Sequence, residues 1–126
     1  MVSPGTARDF IHVDDVVEAY LQIGQLSLQC GETFNIGTGI QATVREVVNA
    51  AVSATGAHPR VNWGSMPARS WDTETWLADI RRVRRTLKWS PKSGLTEGIH
   101  KTADWFREQM KLTEVDDLTA RAGRMR

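Results

Sequence analysis

Cysteine is almost missing from this chain. Cys30 stands alone among 126 residues, which excludes an internal disulfide and a multi-cysteine zinc site and fits a reducing compartment. No basic neighbour of Cys30 is evident in the sequence, so its thiol reads as a buried spectator. An excess of one charge is missing too. With 16 basic and 15 acidic residues and a net charge of +1, no overall field selects nucleic acid or a membrane surface, and any anion site must be local. Long apolar runs are also lacking: none approaches the ~20 residues that span a bilayer. Met1-Val2-Ser3-Pro4-Gly5 has neither the charged nor the apolar region of a signal peptide, so the expected location is the cytoplasm. Tyr20 is the single tyrosine, and no repeat or low-complexity segment occurs. What remains, 40% hydrophobic and 25% charged residues, suffices for one core and is too little for two ordinary domains.

The apolar run Phe10-Ile11-His12-Val13 predicts a short strand, and Asp15 with Glu18 three residues on predicts a capped helix start. Val16, Tyr20 and Ile23, widened by Val17 and Leu21, give that helix a core face ending near Leu28. Thr33-Phe34-Asn35-Ile36 reads as a second strand closed by Gly37-Thr38-Gly39. Thr43 and Glu46 form a capping box for a helix whose face is Val44, Val47, Val48 and Ala51 and which Gly56 should stop. Arg60-Val61-Asn62-Trp63 is expected as a third strand, and Gly64 to Thr75 as a loop long enough to be functional. Asp79 can cap a helix that buries Ile80, Val83 and Leu87 and turns Arg81, Arg82, Arg84 and Arg85 to solvent. Leu95, Ile99, Ala103, Phe106 and Met110 form one stripe of a last helix. Residues 1–112 are expected as one domain and 113–126 as a polar, flexible tail.

Four stretches, taken together, carry a resemblance. Arg8-Asp9-Phe10-Ile11-His12-Val13-Asp14-Asp15-Val16 resembles a signature of nucleotide-sugar epimerases and dehydratases, the extended short-chain dehydrogenase/reductase family. Gly31 to Gly39 is similar to that family's Gly-x-x-aromatic-Asn-aliphatic-Gly-x-Gly strand and loop. Arg69-Ser70-Trp71-Asp72 and Trp76-Leu77-Ala78-Asp79 resemble the segments that come next. Leu87-Lys88-Trp89-Ser90-Pro91, then Leu95-Thr96-Glu97-Gly98-Ile99 and Trp105-Phe106, resemble its closing pattern. The four lie in register over about residues 8 to 107.

The resemblance implies an α/β fragment of three short strands and about four helices, corresponding to the C-terminal part of the family and lacking its N-terminal Rossmann half. In the family, arginines at the positions of Arg8 and Arg69 grip the diphosphate of a nucleotide-sugar, a task suited to a guanidinium fork meeting paired anionic oxygens. The aspartate at the place of Asp72 lies near the ribose, and Trp71 is a candidate wall for base or sugar. Intact relatives use NAD(P), with a T-G-x-x-G-x-x-G loop and a catalytic Tyr-x-x-x-Lys. Neither is in this chain: position 24, four after Tyr20, is Gly. No catalytic, cofactor or metal residue is therefore expected, and Tyr20 is read as core. The partners expected are a nucleotide-sugar and either further copies of the chain or a separate Rossmann-half chain.

Three other patterns invite sharper readings. Gly37-Thr38-Gly39-Ile40-Gln41-Ala42 fits a dinucleotide loop, yet Arg60 to Trp63 offers no acidic residue for a ribose, so a tight structural turn is the reading. His12, Asp14 and Asp15 lack further metal-ligand company. Arg81-Arg82-Val83-Arg84-Arg85 reads as a solvated helix face, with no nucleic-acid motif beside it. Trp89 and Trp105 are expected as core anchors, while Trp71 and Trp76 flank the long loop.

Overall fold

A computed structural model describes residues 3–25, 31–66 and 76–123, with side chains described through Lys111. In order along the chain come β1 (Ala7–Asp9), α1 (Val13–Gln25), β2 (Gln41–Thr43), α2 (Val44–Thr55), α3 (Arg81–Leu87) and α4 (Leu95–Gly123). The mixed α/β fragment with four helices is as expected; the strands are not where the apolar runs put them. Among the described residues the sheet has two antiparallel strands, with Ala7 opposite Thr43, Arg8 opposite Ala42 and Asp9 opposite Gln41. Residues 10–12 and 33–36 have no regular secondary structure and join no ladder among the described residues, and Trp63 lies in a turn rather than a third strand. A strand needs a neighbour as well as an apolar pattern, and among the described residues only 7–9 and 41–43 find one.

The β1–β2 pairing runs directly into a helix start. The Val44 amide donates to the Thr6 carbonyl at 2.9 Å and the Arg45 amide to the Pro4 carbonyl at 3.2 Å, so two of the helix's orphan donors are satisfied by the segment before β1. The third goes to the expected capping box: Glu46 N–H donates to Thr43 Oγ1 at 3.2 Å, and Thr43 N–H to Glu46 Oε2 at 2.6 Å. Gly56 ends α2 in the left-handed region at φ 68°, its amide donating to Val52, as expected for a residue without Cβ.

The core gathers Ala19 from α1, Ile80, Val83 and Leu87 in and around α3, and Trp89, with Ile11, Ile23, Phe34, Ile36 and Ala78 packed against it. Trp89 is thus the core anchor expected, and the α3 arginines lie on the exposed face. Arg82 pairs with Glu32 at 2.8 Å and lies over the Phe34 ring. Asp79 does serve the start of α3, but from one residue before the cap position, Ile80. Its carboxylate accepts from the Arg81 amide at 3.1 Å and from the Arg81 guanidinium, which holds it down at about 2.

Three expectations are corrected. Asp15 does not cap its own helix. α1 begins at Val13, where the Asp14 amide donates to His12 Nδ1 at 3.3 Å, and the buried Asp15 carboxylate instead accepts from Lys92 N–H at 3.0 Å and Ser93 N–H at 3.1 Å. Tyr20 is not core: it is 71% exposed, because the side of α1 turned inward is Asp15, Ala19 and Ile23. Val13, Val17, Tyr20 and Leu21 form a second apolar stripe facing outward. Trp105 is likewise exposed, stacked edge-on to Phe106 at 4.9 Å, since α4 turns other residues toward α2. α4 itself continues to Gly123, past the end of its apolar stripe.

Candidate functional site

Asp9, at the end of β1, organises the region around it. Its Oδ1 accepts from the Thr38 amide at 2.8 Å and from the Thr38 hydroxyl, and its Oδ2 from the Gly39 amide at 2.9 Å and the Ala78 amide at 3.3 Å. Four donors match the roughly four lone-pair sites of a carboxylate. Burial pushes this acid up, but the bonds from Thr38, Gly39 and Ala78 outweigh it and hold the pKa below the ordinary 3.8. The fit leaves no room at Gly37, where a Cβ would stand 2.5 Å from Ala78 Cβ and 2.7 Å from Asp9 Oδ2.

This decides the dinucleotide question at the loop. In a phosphate-binding turn the backbone amides after the first glycine face the anion. Here the Thr38 and Gly39 amides face Asp9, whose own negative charge would repel a pyrophosphate. The residues present do not fit NAD at this loop, and the turn is structural.

Beside the turn opens a cleft of about 480 Å³ lined by Asp9, Phe34, Asn35, Ile36, Gly37, Trp76, Leu77 and Ala78. Asn35 reaches toward the Asp79 carbonyl at 3.5 Å. Arg8 stands at this edge: its guanidinium lies 5.7 Å from the centroid of the Trp76 ring and donates to the Ala7 carbonyl at 2.7 Å. Stacking on an indole holds a guanidinium in place while keeping its charge. Trp76 is 61% exposed. Of the four expected ligand contacts, Arg8 is therefore located, whereas Arg69, Trp71 and Asp72 lie outside the described residues. Asp9 and Gly37 were missed, although the resemblance covers both; their partners are 28 or more positions away, beyond the reach of local pattern.

A second cavity, of about 440 Å³, lies between the start of α1 and α4 and is lined by His12, Val13, Asp14, Lys101, Thr102, Trp105 and Phe106. Lys101 is anchored to Glu97 at 2.7 Å and to Ser93 Oγ at 3.0 Å, and the Glu97 bond raises its pKa. No cluster of three or more His, Cys, Asp or Glu suited to a metal occurs among the described residues, and none of their helices is long and apolar enough to cross a membrane.

The family model for GDP-mannose 4,6 dehydratase matches residues 4–102. The chain belongs to the NAD-dependent nucleotide-sugar epimerase/dehydratase family. A UDP-glucose 4-epimerase of Mycolicibacterium smegmatis is 37% identical over 102 residues, which are 81% of this chain and 32% of that protein. A CDP-paratose 2-epimerase of Salmonella typhi is 26% identical over 78% of this chain and 29% of its own length. Among solved structures, MoeE5 in complex with UDP-glucuronic acid and NAD superposes with a TM-score of 0.76 at 34% identity, covering 86% of this chain and 36% of that one. The UDP-glucose 4-epimerase of Thermotoga maritima with UDP-glucose gives 0.74 at 32%, covering 87% and 35%. The chain thus spans about a third of the length of the relatives it matches.

Proposed function

We propose that this chain is the nucleotide-sugar-binding portion of an epimerase or dehydratase and that, taken alone, it has no catalytic activity. The observation that carries the reading is Arg8, held by Trp76 at the edge of a polar cleft, in a family whose solved members include one with UDP-glucose bound. Arg69 and Asp72 complete the diphosphate and ribose contacts, and Trp71 lines the base or sugar. In a complete enzyme of this kind, NAD would accept a hydride from the sugar. These residues would hold the diphosphate so that the sugar faces the cofactor.

Calorimetry of the full chain with UDP-glucose tests this. Binding is expected, and Arg8→Ala should weaken it by roughly ten- to a hundredfold, the worth of a charge-assisted contact of about 1.5–3 kcal/mol. An absence of binding to UDP-, GDP- and CDP-sugars alike would refute the reading.

A second reading is favoured by the exposed stripe Val13, Val17, Tyr20 and Leu21. An uncovered apolar helix face promotes association, either between copies or with a separate chain that carries the cofactor-binding half. Light scattering should then find an oligomer that Tyr20→Lys with Leu21→Lys dissociates; a wild-type monomer at high concentration excludes self-association.

A further inference from the structure

Arg8 and Trp76 come from segments almost seventy residues apart, and one side chain joins them. Asp9 follows Arg8 in β1, and its Oδ2 accepts from the amide of Ala78, two residues beyond Trp76. Its Oδ1 meanwhile holds Thr38, in the turn that forms the floor of the same cleft. Three segments that do not pair with one another are thereby fixed to a single carboxylate. All its acceptor sites are occupied by protein donors, so it has none to offer a ligand hydroxyl.

We propose that Asp9 is a positioning residue for anion binding: it sets Arg8 and Trp76 at the separation that presents the guanidinium to a diphosphate, without touching the ligand itself. The proposal rests on the nucleotide-sugar reading above. It goes beyond that reading by assigning the preorganisation of the site to an aspartate whose carboxylate oxygens are engaged by protein donors. An asparagine at this position would keep one acceptor oxygen and turn an N–H₂ group toward backbone amides, so the three segments would lose their common anchor while the core around Trp89 stayed intact. A glutamate keeps the charge, but its extra methylene would enter the space that only Gly37 leaves open.

The test is a double-mutant cycle on the full chain, with UDP-glucose as the probe and far-UV circular dichroism as the check on folding. Asp9→Asn should weaken binding about tenfold in the wild-type background and less than about twofold when Arg8 is already alanine, because its effect is exerted through Arg8. Asp9→Glu should fail to restore affinity. A merely structural role predicts equal losses in both backgrounds, and that result, or full affinity in a folded Asp9→Asn, would overturn the proposal. Should Asp9→Asn not fold, Thr38→Val, which removes one of the four donors, takes its place in the same cycle: a loss of two- to fivefold that vanishes with Arg8→Ala supports the proposal, and an unchanged or additive affinity overturns it. A wild-type chain that binds no nucleotide-sugar refutes the functional reading itself, a result distinct from normal binding by Asp9→Asn beside a defective Arg8→Ala.

Discussion

Replacing Gly37 by alanine adds a single carbon, and the surroundings fix its cost. The new Cβ would lie 2.5 Å from Ala78 Cβ, where ordinary contact begins at 3.4 Å. One side must therefore retreat by about 0.9 Å. The Asp9 carboxylate, 2.7 Å from the same point, blocks retreat in the other direction. Overpacking of this kind costs about 1–3 kcal/mol. If Asp9 or Ala78 moves, a charge-assisted hydrogen bond worth about 1.5–3 kcal/mol is weakened as well, so the expected destabilisation is about 3–5 kcal/mol. For a chain of this size that lowers Tm by roughly 10–20 °C. Thermal unfolding followed by tryptophan fluorescence, for which the fully enclosed Trp89 is a reporter, measures the shift. Gly24→Ala is the control: nothing stands within 4 Å of its Cβ position on α1, so that variant should melt at or slightly above the wild-type temperature. If Gly37→Ala melts within about 2 °C of wild type, the close packing of the turn against residues 76–80 is wrong.

Asp15→Ala leaves the Lys92 and Ser93 amides without their acceptor and should cost about 2–4 kcal/mol in urea unfolding, with Asp15→Asn losing less because one acceptor oxygen remains. Lys88 ends α3 at φ 55°, the one non-glycine residue with positive φ among those described. Lys88→Gly should raise stability by about 0.5–1 kcal/mol, and a fall in the urea midpoint would contradict this. The pKa of Asp9 is lower in the folded chain than its ordinary 3.8, so its contribution is complete above that value and is lost as pH falls through the folded one. Urea midpoints from pH 6 to pH 2 should decline at the acid end, and the decline should be shallower in Asp9→Asn.

Local chemistry was legible in the sequence, and distant partnership was not. Thr43, Glu46 and Gly56 act within one helical turn of where the pattern placed them, because a capping box and a left-handed stop involve only neighbouring backbone. Val83 and Leu87 are legible from helical periodicity, and Trp89 from its place as a large aromatic closing that helix. For α1 the same periodicity identifies apolar residues but not which of them another element covers, so the pattern places Tyr20 in the core whereas the fold leaves it exposed. The runs at 10–13, 33–36 and 60–63 have strand composition, yet a ladder is a property of two segments. At the candidate site, the chemistry of a guanidinium pointed to Arg8. Nothing within ten residues of Asp9 or Asp15 announces that their acceptors are used by amides 29 to 78 positions away.

Those two aspartates also determine how far the chain can be shortened. Asp9 ties the first strand to Thr38 and Ala78, and Asp15 ties the first helix to the segment before α4. A version trimmed from the front past residue 15, or from the back before residue 93, removes a carboxylate or strands it without its amides. The smallest piece that retains this architecture therefore runs from the segment before β1 into α4. Dissection of the chain into a strand-bearing half and a helical half would separate residues that satisfy one another.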